Sequence, residues 1–479
     1  MARGKLVLQG IIELLSPAII GSGREDYTDI DVLLDDIGKP FIPATSLVGV
    51  FRHFIEKNAK FDDKNPIFDN KNASKRFWGF TPDEKILDKE KEKQSDLCCS
   101  DLPCIESDPK IAVRDGIKID TKNGIVESGK KYDYQVVGRG TRFKLHLEVN
   151  LTDTNKEFSR RMVATVRDVL ELGRVQIGAK TNSGLGKMQL TNAYVCEFDF
   201  SKRADVLRWL KKDFSTPNPF TEKPFEIHNK IFSIDAVFRL KDSFISRSYS
   251  ANPKEPDAVS IKSGGSFVMP GTSLKGAIRS RAERILNTLG KPQDILHNLF
   301  GHVDEGKDTT EETKEGTPIT PDLLNFPTIG KGEKVKIKGR ISIEESLLPD
   351  YKPELQTRIK IDRFTGGTIE SALFETMPLF SDGDETKRFH VKITIREYKD
   401  HEAGLLLLVL KDLWMGDLAV GGEKNIGRGV FEGIQADITW NKGKVALKEK
   451  DKKLLIQVIE GDGLELEKFV SALKNFRKE

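Results

Sequence analysis

Lys275 and Arg279 stand four residues apart in the stretch Pro270-Gly271-Thr272-Ser273-Leu274-Lys275-Gly276-Ala277-Ile278-Arg279. On a helix this spacing puts both cations on one face, where they can follow a polyanion backbone. The proline ends the preceding strand, the Thr-Ser pair offers hydroxyls for a helix N-cap, and the free N–H groups of the first turn favour a phosphate. A degenerate copy lies upstream, Pro43-Ala44-Thr45-Ser46-Leu47-Val48-Gly49-Val50-Phe51-Arg52. It keeps the proline, the Thr-Ser pair, the leucine, the second glycine and the closing arginine.

A second kind of chemistry is offered by thiols. Cys98, Cys99 and Cys104 cluster within one charged stretch, and the four residues between Cys99 and Cys104 lie within the spacing used by zinc sites. With His53 or another distant ligand they are a candidate structural Zn²⁺ site; no second Cys pair accompanies them, and three unliganded thiols are the alternative. Cys196 falls in a strand-like segment and reads as core. The seven histidines form no HExxH pattern and no nucleophilic triad. His146 and His390 occupy similar places in the last strand of each half and read as strand residues.

The elements that must position these groups are written twice. Each half opens with a strand, passes through a polar loop containing Asp26, Asp29 and Asp31 or Asp257, and reaches a short apolar strand, the proline turn and the basic helix. The helices are expected from about Ser46 to Asn58 and from about Ser273 to Leu289, on apolar spacing of three and four. Strand-like segments begin at Lys110 and Lys336. Alternating strands return at Phe143 to Val149 and Phe389 to Ile395, with a projecting hairpin expected around Arg139, Arg142, Arg358, Lys360, Arg363 and Phe364. Each half closes with a glycine-rich segment, containing Asn182, Gly184 and Gly186 or Asn425, Gly427 and Gly429. A proline-dense seam at residues 213–224 divides the chain into 1–220 and 221–479, and residues 464–476 read as a terminal amphipathic helix.

Composition bounds the rest. With 77 basic against 74 acidic residues the net charge is +3, so any nucleic-acid surface must be local. No apolar run reaches membrane-spanning length, and nothing at the N-terminus reads as a signal peptide. Four cysteines in 479 residues make no disulfide framework. A cytoplasmic protein with no membrane partner is expected.

The order and content of these segments resemble the RAMP superfamily, the RRM-like domains of CRISPR systems. The residues carrying the resemblance are Ser22-Gly23, Ile42-Pro43, Thr45-Ser46-Leu47 and Gly184-x-Gly186. In the second half they are Asp257, Met269-Pro270-Gly271-Thr272-Ser273-Leu274-Lys275-Gly276, Ile361-Asp362-Arg363-Phe364-Thr365-Gly366 and Gly427-x-Gly429. The second half fits more closely, since Ala44 and Val48 depart from the family's glycine and lysine. Two such domains in one chain resemble the fused backbone subunits of type III effector complexes, especially the type III-D kind. The resemblance implies an α+β fold of two tandem RRM-like, ferredoxin-like βαββαβ domains, each with a β-hairpin thumb. It implies crRNA, target RNA and other effector subunits as partners. It also implies endoribonuclease cleavage of the target beside a displaced base by a loop aspartate, Asp257 in the second half and Asp29 or Asp31 in the first, with Mg²⁺ or another divalent metal. A carboxylate can serve such chemistry by holding a hydrated Mg²⁺ or by orienting the ribose 2′-OH. Candidate RNA contacts are Ser273, Lys275, Arg279, Ser46, Arg52, Arg114, Arg340, Arg363, Asn182, Gly184, Asn425 and Gly427. A non-catalytic crRNA-binding subunit is the alternative.

Overall fold

Alternation along the strands fixes which face of each sheet is buried. In β5 (Arg142–Leu151), Phe143, Leu145, Leu147, Val149 and Leu151 are buried while the residues between them are not. The computed structural model describes residues 3–23, 26–60, 70–79, 94–120, 124–216, 220–248, 256–303, 336–370, 372–450 and 453–477. The charge runs at 83–93 and 304–314 and the prolines of the seam at 217 and 219 lie outside them.

The first domain is built on β1 (Gly4–Leu14), α1 (Ala44–Asn58), β2 (Leu97–Cys99), β5, α2 (Lys156–Glu171) and β6 (Met188–Asp199). Its sheet has the order β2-β5-β1-β6, antiparallel throughout. Between β2 and β5 projects a long hairpin, β3 (Ile111–Ile119) with β4 (Val126–Val137). Both helices cover one face. Leu47, Phe51, Phe54 and Ile55 of α1 and Phe158, Met162, Val163, Val166, Val169 and Leu170 of α2 meet Leu6, Leu8 and Ile12 of β1. Each such large side chain contributes roughly 1.5–3 kcal/mol on burial. On the opposite face Val7, Cys196 and Phe198 pack against Trp209 and Phe214, so Cys196 is a core residue.

The second domain repeats the plan with β7 (Ile231–Leu240), α3 (Gly271–Thr288), α4 (Asp294–Phe300), β8 (Ile341–Ile343), β9 (Phe389–Arg396), α5 (Asp400–Trp414) and β10 (Phe431–Trp440). Its sheet order is β8-β9-β7-β10, extended by a hairpin of β11 (Gly443–Lys450) and β12 (Lys453–Glu460) that the sequence reading did not anticipate. In both domains the second, third, first and fourth core strands lie side by side, the ferredoxin-like order. The terminal helix α6 (Glu465–Asn475) lies on α5. Gly404 permits this approach, because a Cβ there would sit 2.1 Å from the Phe469 carbonyl oxygen.

Several sequence expectations are displaced. Both basic helices start two residues early, at Ala44 and Gly271, with Pro43 and Pro270 in the capping position and no side-chain cap. Ser46 and Ser273 therefore lie inside the first turn rather than capping it. The segment beginning at Lys110 belongs to the projecting hairpin, and Leu97–Cys99 is the core strand instead. Beyond the expected cut at 220, Ile227 packs against the first core and Phe225 is buried in it; the Phe225 N–H donates to Thr165 Oγ1 at 2.8 Å.

The domains meet through the first glycine segment. A 3-10 turn, Thr181–Ser183, rests on β8 and the start of α3. Asn182 Nδ2 donates to the Gly339 carbonyl at 2.7 Å, Ser342 Oγ to the Thr181 carbonyl at 3.3 Å, and Lys187 pairs with Glu344 at 2.5 Å. Arg114 of β3 and Glu345 form a 2.6 Å ion pair at 5% and 4% side-chain exposure.

Candidate nucleic-acid interface

Each domain holds an acidic loop against the return strand of its projecting hairpin. In the first, Asp29 Oδ2 accepts the Asp133 N–H at 2.9 Å and the Asp29 N–H donates to Asp133 Oδ1 at 3.0 Å. In the second, Asp257 Oδ2 accepts the Glu375 N–H at 2.9 Å. Asp133 lies on β4, and Glu375 on Phe374–Met377, the return strand of a hairpin begun by Gln356–Arg358. Asp29 and Asp257 thus occupy equivalent positions, both exposed, both at the base of a projecting hairpin.

Asp31 does something else. It is buried, and its Oδ2 accepts the N–H groups of Asp26 (2.7 Å) and Tyr27 (2.9 Å). Its Oδ1 accepts the N–H and hydroxyl of Thr28 at 2.9 and 2.8 Å. Burial raises its pKa, but these donors outweigh it and hold the carboxyl below the usual range. All four contacts lie within its own loop, so Asp31 shapes the loop that displays Asp29.

The pair of cations on the basic helix is found in the second domain and has no lysine counterpart in the first. Lys275 and Arg279 lie half-buried on α3, and burial, followed by the Arg279 charge, pulls the Lys275 pKa down to about 8. Arg279 donates to the Gly301 carbonyl at 3.3 Å, beside His297 and His302, whose rings stack with centroids 4.0 Å apart. Burial, His302 and Arg279 depress the His297 pKa. These histidines carried no sequence signal, being brought to Arg279 only by the turn from α4 into the next strand. In the first domain Val48 replaces the lysine, and Arg52 pairs with Glu56 one turn on at 3.3 Å.

Four of the expected RNA contacts are committed within the protein. Arg114 is the buried interdomain pair described above. Arg340 is bound to Glu402 and the Glu397 carbonyl, which fastens the start of α5. Asn182 and Gly184 are used in the domain contact. By contrast Asn425 and Gly427 are exposed, and Arg363 is exposed beside Phe364, which is fully exposed at the hairpin tip.

Two latches tie the hairpins to the glycine segments. Lys180, in a left-handed conformation (φ 54°), lies 3.6 Å from the Tyr134 ring centroid and donates to the Tyr132 hydroxyl at 2.9 Å. Burial brings its pKa down to about 8. The counterpart Glu423 (φ 57°) accepts from Arg247, Arg358 and Arg428 at 2.7–2.8 Å. Burial raises its pKa, and the three guanidinium groups reverse that and hold it low. The shared position of Lys180 and Glu423 ahead of matching glycines was the signal that could have revealed both.

Among the described residues the three thiols are not gathered into a ligand set. Cys98 and Cys99 are successive on β2 and point to opposite faces, and Cys104 donates to Glu106 Oε2 at 3.4 Å. Burial, then Cys98 and Asp101, push the Cys99 thiol up to about 12; burial is also the main cause that takes Cys104 to about 11. His53 is exposed on α1, and among the described residues no three His, Cys, Asp or Glu side chains are arranged to hold a metal. Nor does any described helix have the length and apolarity to cross a membrane.

Comparison with known proteins gives one family. No curated protein matches the chain. Among solved structures, a chain of the "Cryo-EM structure of the Type III-B Cmr-beta bound to cognate target RNA" is similar at 14% identity. The match covers 38% of this chain and 96% of that one, with a TM-score of 0.30. The family model of the RAMP superfamily matches residues 11–189 and 238–432, which is most of both domains. The chain belongs to the RAMP superfamily.

Proposed function

We propose that this chain is a crRNA-binding backbone subunit of a type III CRISPR effector, with Asp29 and Asp257 acting on the target RNA. The observation that carries the reading is the repeated placement of one exposed aspartate at the base of each projecting hairpin. Lys275 and Arg279 seat the guide backbone, and Arg363 and Phe364 at the exposed tip lie against the guide–target duplex. Asp29 and Asp257 each have one oxygen fixed by a backbone N–H, which leaves the other to orient a ribose 2′-OH toward the adjacent phosphorus. A lone carboxylate also suits a hydrated divalent cation that draws its remaining ligands from phosphate. When bound, that ion supplies charge neutralisation at the scissile phosphate.

The test is cleavage by the assembled complex carrying Asp29→Asn or Asp257→Asn, with RNA binding measured in parallel. Each variant is expected to remove its own product and keep RNA affinity. The second reading, a non-catalytic subunit, is favoured by the same hydrogen bonds, since an aspartate that latches a hairpin has a sufficient structural role. An unchanged product ladder in both variants supports that reading and removes the enzymatic one.

A further inference from the structure

The sheet of the second domain ends differently at its two edges. At one, β8 is covered by the Thr181–Ser183 turn of the first domain, which is hydrogen-bonded to Gly339 and Ser342. At the other lies β12, which pairs with β11 on one side and with no strand among the described residues on the other. A free strand edge is a row of unpaired N–H and C=O groups, and proteins blunt such edges with proline, charge or a bulge. β12 has no proline, and from Leu454 to Val458 it has no charged residue. Its register with β11 is regular from Lys453 to Val458; the one irregularity comes at the far end, where Ile459 is passed over and Lys444 pairs with Glu460.

The side chains of β12 are open as well. Leu454, Leu455, Ile456, Val458 and Ile459 are each 47–59% exposed. Pairing with β11 places Leu454, Ile456 and Val458 opposite Glu449, Leu447 and Val445, and Leu455 and Gln457 opposite Lys448 and Ala446. Aliphatic residues therefore stand on both faces of the strand. A helix laid on the sheet covers one face and leaves the edge groups unpaired. A further strand in the same sheet pairs the edge groups and flanks the side chains of both faces.

We propose that β12 pairs antiparallel with β12 of a second copy of this chain, joining two six-stranded sheets into one across a two-fold axis. The strand is self-complementary in that arrangement. A two-fold axis perpendicular to the sheet keeps corresponding faces together, so facing residues share strand parity. Centred on Ile456, the pairing sets Ile456 opposite itself and Leu454 opposite Val458, aliphatic against aliphatic along one face, with Leu455 opposite Gln457 on the other. Centring it on Gln457 would put that polar residue against itself. The ends of the strand fix the direction. It begins with Lys453 and ends with Glu460, so antiparallel pairing sets the basic start of each copy beside the acidic end of the other. Parallel pairing sets like charges side by side, which is destabilising. The proposal does not rest on guide binding or on cleavage.

Sedimentation of the full chain over a range of concentrations, with and without Ile456→Asp, tests it. A dimer that forms with rising concentration is expected. Ile456→Asp sets two carboxylates face to face on the axis and is expected to abolish the dimer while leaving the circular dichroism spectrum of the monomer unchanged, because the side chain it replaces is exposed. Two cysteine variants test the register. Residues directly opposite each other lie within disulfide reach, so mild oxidation of Ile456→Cys is expected to join two copies of the peptide carrying residue 456, as read by mass spectrometry. Leu455→Cys is displaced along the strand from its own counterpart and is expected not to crosslink. A monomer at every concentration, a dimer that Ile456→Asp leaves intact, or a Leu455→Cys variant that crosslinks as readily as Ile456→Cys overturns the proposal. So does protection of β12 from hydrogen exchange that depends on another polypeptide of the native assembly, which would assign the edge to that polypeptide.

Discussion

Gly184→Ala and Gly427→Ala form a matched pair in which backbone strain is held constant and packing varies. Both glycines close a 3-10 turn in the left-handed region, at φ 81°, ψ 5° and φ 87°, ψ 7°. An L-residue in that conformation costs roughly 1–2 kcal/mol. At Gly427 this is the whole expected cost, because the new methyl group meets nothing within 4 Å among the described residues. At Gly184 the methyl group would also lie 2.6 Å from Glu344 Cα and 3.0 Å from the Glu345 amide nitrogen. These are backbone atoms of the other domain, which cannot rotate away, and overpacking of this kind costs typically 1–3 kcal/mol more. Gly427→Ala is therefore expected to lose about 1–2 kcal/mol and Gly184→Ala about 2–5 kcal/mol. The assay is the midpoint of the first urea transition, read with hydrogen exchange at residues 341–345. Exchange there is expected to rise in Gly184→Ala and to stay unchanged in Gly427→Ala. Equal losses in the two variants, or unchanged protection at 341–345 in Gly184→Ala, would refute the packing account of the domain contact.

Removing one partner of the buried Arg114–Glu345 pair leaves an uncompensated charge, so Arg114→Ala is expected to cost about 3–5 kcal/mol. Arg114→Met with Glu345→Leu should restore most of that loss in a double-mutant cycle of unfolding free energies. Burial brings the Lys275 pKa in the free protein down to about 8, so its charge is lost progressively and RNA affinity is expected to fall as pH rises from 7 to 9. Filter binding should show that slope flattened in Lys275→Met, because the neutral side chain has no proton to lose.

How much of this was legible in the sequence depended on how local the deciding interaction was. The alternation of β5 and β9 and the apolar spacing of α1 and α3 placed the core strands and helices correctly, since burial on one face is a periodic signal. The different settings of Asp29 and Asp31 were not legible. Asp31 is held by donors within five residues, whereas the bond from Asp29 to Asp133 on the hairpin spans 104 residues and leaves no local signal. Arg114 and Arg340 read as surface cations because Glu345 and Glu402 are remote in sequence. Asn182 and Asn425 sit in near-identical motifs, yet fusion of the domains buries one turn and leaves the other open. The capping expectation at Ser46 and Ser273 failed because the prolines themselves occupy the capping position.

The most direct test of the central claim is to sequence the RNA that copurifies with the full chain in its native assembly. Short RNAs that share a uniform 5′ segment and differ beyond it are the expected result, and Lys275→Ala with Arg279→Ala should deplete them. RNA of heterogeneous length and sequence, or recovery unaffected by those two substitutions, would contradict the account.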